Sequence, residues 1–317
     1  MAGAAPTKLS TGLPAIPAPW RIPAPTGSSL RVSVTHVTDF ACPWAYSFEP
    51  AMRAIESRYG DQLELSTVVI GLSSDPEALV ARGFSPERMA LVALHFGRLG
   101  MPFTPHVRER VTVSEPACRM IKAVGLQGPD FEEALARALR FAQFNSPLLL
   151  DDAAALETVC ESIEGLDVAR AMADLESPAV EDAYRADYEQ ARNPSPLAVT
   201  LRRTANSDGR DRYTAPSLIL TAADGRTAVV PGFQPFEAID VALMNLEPAL
   251  TRLPVPDLED LLAGYPGGLT SQEVARVLAD TTDIPDRPGA EAALTHLLAS
   301  GSARRTPLGD DALWTLA

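Results

Sequence analysis

The stretch from Thr35 to Pro50 sets the tightest limit on how this chain can fold. Leu30–Val37 alternates apolar and polar residues, the period of a half-buried strand. The alternation stops at Asp39-Phe40-Ala41, and Cys42-Pro43-Trp44-Ala45 then opens a helical pattern running to about Tyr59. A cysteine at such a turn sits where the first N–H groups of a helix lack partners. The positive end of the helix dipole there favours thiolate over thiol. Pro43 takes the first helical position, where a missing N–H costs nothing. The pattern predicts a nucleophilic sulfur at Cys42, the candidate catalytic residue.

Gly60-Asp61 turns the chain into a second strand, Leu63–Ile70, β-branched and apolar enough for the middle of a sheet. From Asp75 to about Arg192 the periodicity is almost wholly helical. It predicts helices over Pro86–Leu99, Glu115–Val124, Asp130–Phe144, Asp151–Ile163, Val168–Leu175 and Ala179–Arg192. Ser85-Pro, Ser114-Glu-Pro, Pro129-Asp and Ser177-Pro read as helix starts. Strand character returns at Ser217–Thr221, Asp224-Gly225 gives a hairpin turn, Ala228–Pro231 pairs back, and Pro235–Leu246 closes as a helix.

Asp39-Phe40-x-Cys42-Pro43-Trp44 resembles the active-site segment of the DsbA-like thioredoxin-fold proteins, in particular the FrnE-like subgroup with its Asp-Phe-x-Cys-Pro-Trp-Cys pattern. Ser114-x-Pro-Ala-x-Arg119 is similar to the first inserted helix of that subgroup, so the resemblance spans about Leu30 to Leu246. It implies an α/β fold: a thioredoxin-like core with a large all-helical insertion. On that scheme residues 29–74 and 205–250 form the core and residues 75–204 the insertion. Ala215-Pro216 matches the position where a cis-proline faces the nucleophilic cysteine and holds the preceding backbone open to substrate. Pro43, Trp44, Ala45, Ala215 and Pro216 are the substrate-binding positions that the resemblance implies.

The departure falls on the second cysteine of the pattern, which is Ala45 here. Without that thiol, a mixed disulfide on Cys42 must be released by substrate, a small thiol or another cysteine. Cys118, on the first inserted helix, is a candidate second thiol, although Ala117, Met120 and Ile121 also suit it to a core. Cys160 lies on an apolar helical stripe and reads as inert. Asp39 and His36 are candidates for tuning Cys42; a carboxylate near the thiol raises its pKa, against the helix dipole. No Cys/His or Asp/Glu spacing suggests a metal, and no glycine-rich phosphate loop occurs.

The ends of the chain differ from its middle. Residues 1–28 are rich in Ala and Pro and read as an extended arm, either free or laid across the body through Trp20 and Ile22. Residues 255–317 read as a winged-helix-like unit: a capping sequence, Leu269-Thr-Ser-Gln-Glu273, leads into Val274–Leu278, then a helix over Pro288–Leu298. Two short strands, Ser302–Thr306 and Leu313–Leu316, flank Gly309-Asp310-Asp311. That unit holds four basic residues against ten acidic, and the whole chain carries a net charge of −14. Both argue against nucleic acid and anionic membranes as partners. A homodimer through this unit or the arm is the expected assembly. Three widely spaced cysteines and the lack of an apolar leader point to a reducing compartment, the cytoplasm.

The leading expectation is therefore thiol–disulfide exchange at the single nucleophile Cys42 on a disulfide-bearing protein or small molecule. No tightly bound cofactor is expected, and a low-molecular-weight thiol is the resolving partner. Two alternatives belong to other classes: a thiol-cofactor-dependent isomerase or transferase with a deep apolar pocket under the insertion, and a non-catalytic adapter with a shut Cys42.

Overall fold

A computed structural model describes Ile16, residues 31–280 and residues 283–317. The predicted arm lies almost wholly outside the described residues. Its one described residue, the buried Ile16, bridges to Ile163, with Ile16 N–H donating to Ser162 O at 2.8 Å.

The chain opens with β1 (Val32–Thr38), α1 (Pro43–Ser47), α2 (Glu49–Tyr59) and β2 (Leu63–Val69), the βαβ unit expected from the sequence. The single helix predicted from Pro43 is in fact two, because Pro50 has no N–H to return to the carbonyl four residues back. Phe48 marks the break. β1 runs parallel to β2 and antiparallel to β5 (Ser217–Thr221), which pairs with β6 (Thr227–Pro231) in the order β2-β1-β5-β6. Asp224-Gly225 makes the β5–β6 turn, with Gly225 at φ 85°. α11 (Phe236–Leu246) and α2 cover one face around Phe48, Ile55, Leu218, Leu220, Phe236 and Leu243. Burying a side chain of this size contributes about 1.5–3 kcal/mol.

Between β2 and β5 lie α3 (Pro76–Ala81), α4 (Pro86–Phe96), α5 (Glu115–Gly125), α6 (Pro129–Asn145), α7 (Ala153–Cys160), α8 (Val168–Asp174), α9 (Pro178–Ala191) and α10 (Pro196–Thr200). A small hairpin, β3 (Thr204–Asn206) and β4 (Asp211–Tyr213), follows. Ser85 and Ser177 cap α4 and α9 through their hydroxyls. Ser114 does not cap α5; its hydroxyl donates to Asp39 instead. The helical core gathers on Met120, Leu135, Leu139, Phe141 and Leu156. This is a thioredoxin-like core with a large helical segment threaded between its two halves.

Past residue 250 come α12 (Leu258–Gly264), β7 (Leu269–Thr270), α13 (Ser271–Leu278), α14 (Arg287–Ser300), β8 (Ala303–Leu308) and β9 (Asp311–Leu316). Their sheet order is β7-β9-β8. α13 begins in a capping box between Thr270 and Glu273, as its sequence predicts. This segment is stitched to the rest: Asp310 accepts from Phe103 N–H at 3.1 Å, and Arg287 donates to Gly100 O at 2.6 Å. Among the described residues, no helix is long and apolar enough to cross a membrane.

Candidate active site

Cys42 occupies the N-cap of α1, with extended backbone (φ −84°, ψ 115°), and its carbonyl accepts from Tyr46 N–H at 3.0 Å. Its thiol donates to the carbonyl of Ala215 at 3.4 Å, and the Ala215–Pro216 peptide bond is cis. The structure thus joins Cys42 and Ala215-Pro216, 173 residues apart in sequence. Cys42 shares a buried cluster with Val37, Ala45, Val68, Ile70, Ala191, Ala198 and Tyr213, and is 8% exposed.

This enclosure works against the thiolate that the helix position favours. Burial pushes the Cys42 thiol up to about 11, with Asp39 adding to the rise. The N–H groups of Ala45 and Trp44 and the charge of Arg212 pull the other way and lose. α1 is only five residues long, and desolvation acts on the whole thiolate.

Asp39 is the hub of the turn. Its buried carboxylate accepts from Ala41 N–H and Leu72 N–H, both at 2.9 Å, from Ser114 Oγ at 3.1 Å and from Cys118 Sγ at 3.6 Å. Burial raises its pKa, and these four donors oppose the rise. Cys118 therefore faces Asp39, and its thiol is pushed well up by burial and by that carboxylate. Cys42, Cys118 and Cys160 are all free. Burial likewise pushes Cys160 up to about 12.

Trp44 is 44% exposed beside the thiol, edge-on to Phe96 of α4 with ring centroids 4.8 Å apart and 5.2 Å from the ring of Phe233. Pro43 is half-buried and Ala45 fully buried. His36 is not brought to the sulfur. It sits in another cavity of about 140 Å³, lined also by Glu49, Arg53 and Arg140. Burial, then Arg140 and Arg53, hold its pKa well below the ordinary histidine range.

Arg212 of β4 is a residue that no motif marked. Its guanidinium is buried beside the site and donates to Ser207 Oγ at 3.1 Å and Tyr213 O at 2.9 Å. A short hairpin four residues before a cis-proline leaves no periodic signal, so only its place next to Ala215-Pro216 could have pointed to it.

Comparison with known proteins agrees with this fold. A ClpXP adapter protein, SpxH, from Shouchella clausii is 26% identical over 246 residues, covering 76% of this chain and 75% of that protein. A solved structure of a candidate protein disulfide isomerase from Nitrosomonas europaea gives a TM-score of 0.52 at 18% identity, covering 68% of this chain and 97% of that one. The cytosolic disulfide reductase DsbM from Pseudomonas aeruginosa gives 0.48 at 18% identity, over 68% of this chain and 99% of its own. The DSBA-like thioredoxin domain matches residues 33–194, from β1 through the Cys42 turn to the end of α9. The chain belongs to the DSBA-like thioredoxin domain family, built on the fold of the DsbA-like thiol–disulfide oxidoreductases.

Proposed function

We propose that this chain is a protein-recognition member of its family, with the FrnE-like spelling Asp39–Trp44, that binds a client segment at Cys42 and Pro216 without dithiol redox chemistry. The observation that carries this reading is the shut thiol, bonded to Ala215 O, pushed up to about 11 and followed at position 45 by alanine. At neutral pH such a thiol is ionised in about one molecule in ten thousand. The 26% identity to SpxH across three quarters of both proteins supports an adapter role, presenting a client to a ClpXP-type protease in the cytoplasm. Trp44, 44% exposed, supplies an aromatic face suited to an extended client.

A second reading, single-cysteine exchange, is favoured by the cis-proline carbonyl held against the sulfur. There Cys42 first loses its proton to solvent. Its sulfur attacks a disulfide, forming a Cys42–substrate disulfide and expelling the other half as thiolate. An external low-molecular-weight thiolate then attacks that mixed disulfide, restores Cys42 and leaves oxidised on the substrate half.

Two assays on the purified chain separate these readings. Reduction of hydroxyethyl disulfide by excess small thiol should run no faster with wild type than with Cys42→Ser. Titration against a purified ClpX-type unfoldase should give equal affinity for both proteins. A wild-type rate above that of Cys42→Ser, with no binding to the unfoldase, would establish the exchange reading instead.

A further inference from the structure

A cavity of about 190 Å³ opens between the core and the helical insertion, walled by Ala41 of the Cys42 turn and reaching Arg212. It is many times the roughly 10–15 Å³ that one water requires. Four arginines and one histidine line it (Arg82, Arg108, Arg110, Arg212 and His106), and no acidic side chain does. In a chain with a net charge of −14 this is a local inversion of sign.

These cations are not equally engaged. Arg110 pairs with Asp151 and Asp152, and Arg108 is held by the carbonyls of Leu148, Gln143 and Ser146. Arg82 and Arg212 form no ion pair among the described residues. Arg82 has the ring of Phe84 at 5.7 Å, and Asp39 and Asp208 act on Arg212 only through space. Arg212 is 7% exposed, and a guanidinium so buried without a paired counter-charge is costly unless something supplies one. His106 adds a buried Nε2 with no hydrogen-bond partner. The rest of the wall is apolar, including Leu79, Phe84, Met89 and Val111.

We propose that this cavity binds a small organic acid, its carboxylate held by Arg82 and Arg212 with His106 Nε2 in support, and its apolar body against Leu79, Phe84 and Met89. A bare inorganic anion would leave the apolar wall unfilled, and a neutral ligand would leave the arginines uncompensated. Paired to a carboxylate, a guanidinium offers two parallel N–H donors to two oxygens. The site does not depend on whether Cys42 exchanges disulfides.

The test is isothermal calorimetry on the full chain with hexanoate, hexanamide and inorganic phosphate at matched ionic strength. Hexanoate should bind saturably, and hexanamide about tenfold or more weaker, the scale of a charged hydrogen bond lost. Arg82→Gln and Arg212→Gln should each weaken hexanoate by about tenfold, whereas Arg304→Gln, far from the cavity in β8, should not. Arg82 is exposed, so its variant folds even if loss of Arg212 disturbs the hairpin. No saturable uptake of hexanoate, equal binding of hexanamide, tighter binding of phosphate, or an Arg82→Gln protein that binds like wild type would each overturn the proposal.

Discussion

Arg137 of α6 and Glu273 of α13 hold each other through two parallel hydrogen bonds of 2.6 and 2.8 Å in the protein interior. The same guanidinium donates to Gly268 O at 3.0 Å and reaches Glu49 of α2 at 3.4 Å. One side chain thus ties together the thioredoxin-like core, the helical insertion and the C-terminal segment. Burial alone would raise the pKa of Glu49, and Arg140, Arg53 and Arg137 together bring it below the usual carboxylate value.

Removing half of this pair strands the other half. Arg137→Met should lower unfolding free energy by about 3–5 kcal/mol, because Glu273 is left buried without its arginine partner. The double variant Arg137→Met with Glu273→Leu should recover only part of that loss, since it removes the stranded carboxylate but also the capping box with Thr270. Urea denaturation of the three proteins checks both expectations.

Cys42 should alkylate slowly. A shift from the ordinary value of 9.0 to about 11 cuts its thiolate fraction near neutral pH by about 100-fold relative to a free cysteine. The same shift has a stability consequence. The folded value lies above the unfolded one, so the thiol's contribution is complete below pH 9.0 and disappears as pH rises through about 11. Mass spectrometry of iodoacetamide-treated protein across pH 7–12, with Cys118 and Cys160 as internal references, gives the midpoint directly.

Charge at Asp39 raises the Cys42 pKa, and charge at Arg212 lowers it. Asp39→Asn should therefore move the alkylation midpoint down and Arg212→Gln should move it up. Asp39→Asn should also cost about 1–3 kcal/mol of stability, since a buried carboxylate that accepts four donors is replaced by an amide. Opposite signs at the two positions are the diagnostic result; movement in the same direction would sink this electrostatic account.

Ala45→Cys should restore a Cys-x-x-Cys pair on α1. The variant should form a disulfide between Cys42 and the introduced thiol under mild oxidant, and reduce insulin faster than the wild type. Ala45 is fully buried, so the added sulfur should cost about 1–3 kcal/mol by overpacking. Loss of the gained activity in the Ala45→Cys, Cys42→Ser double variant completes the check.

Much of this architecture is legible in the sequence where a local rule acts alone. The alternation in Val32–Thr38, the Asp224-Gly225 turn and the Thr270–Glu273 capping box each follow from a few neighbouring residues, whereas the cis Ala215–Pro216 bond is implied by the family resemblance. The short elements α3, α10, α12 and the β3–β4 hairpin give too few residues for a periodic signal. For Cys42 the local pattern does not show the burial that pushes its thiol up, for a different reason. Its helix position is local, but its cover comes from Ala191, Ala198 and Tyr213, whose approach no pattern around Cys42 announces. The arginine-lined cavity is hidden in the same way, because Arg82, Arg108 and Arg212 are brought together only by the fold.

Asp39 takes donors from the Cys42 turn, from the loop after β2 and from both Ser114 and Cys118 at the start of α5. The start of α5 and the sulfur therefore both feel the same carboxylate. If α5 withdraws, Asp39 loses two of the donors that keep its proton off, takes that proton up more readily, and stops repelling charge on Cys42. In this wiring a displacement of α5 is translated, through Asp39, into the reactivity of Cys42.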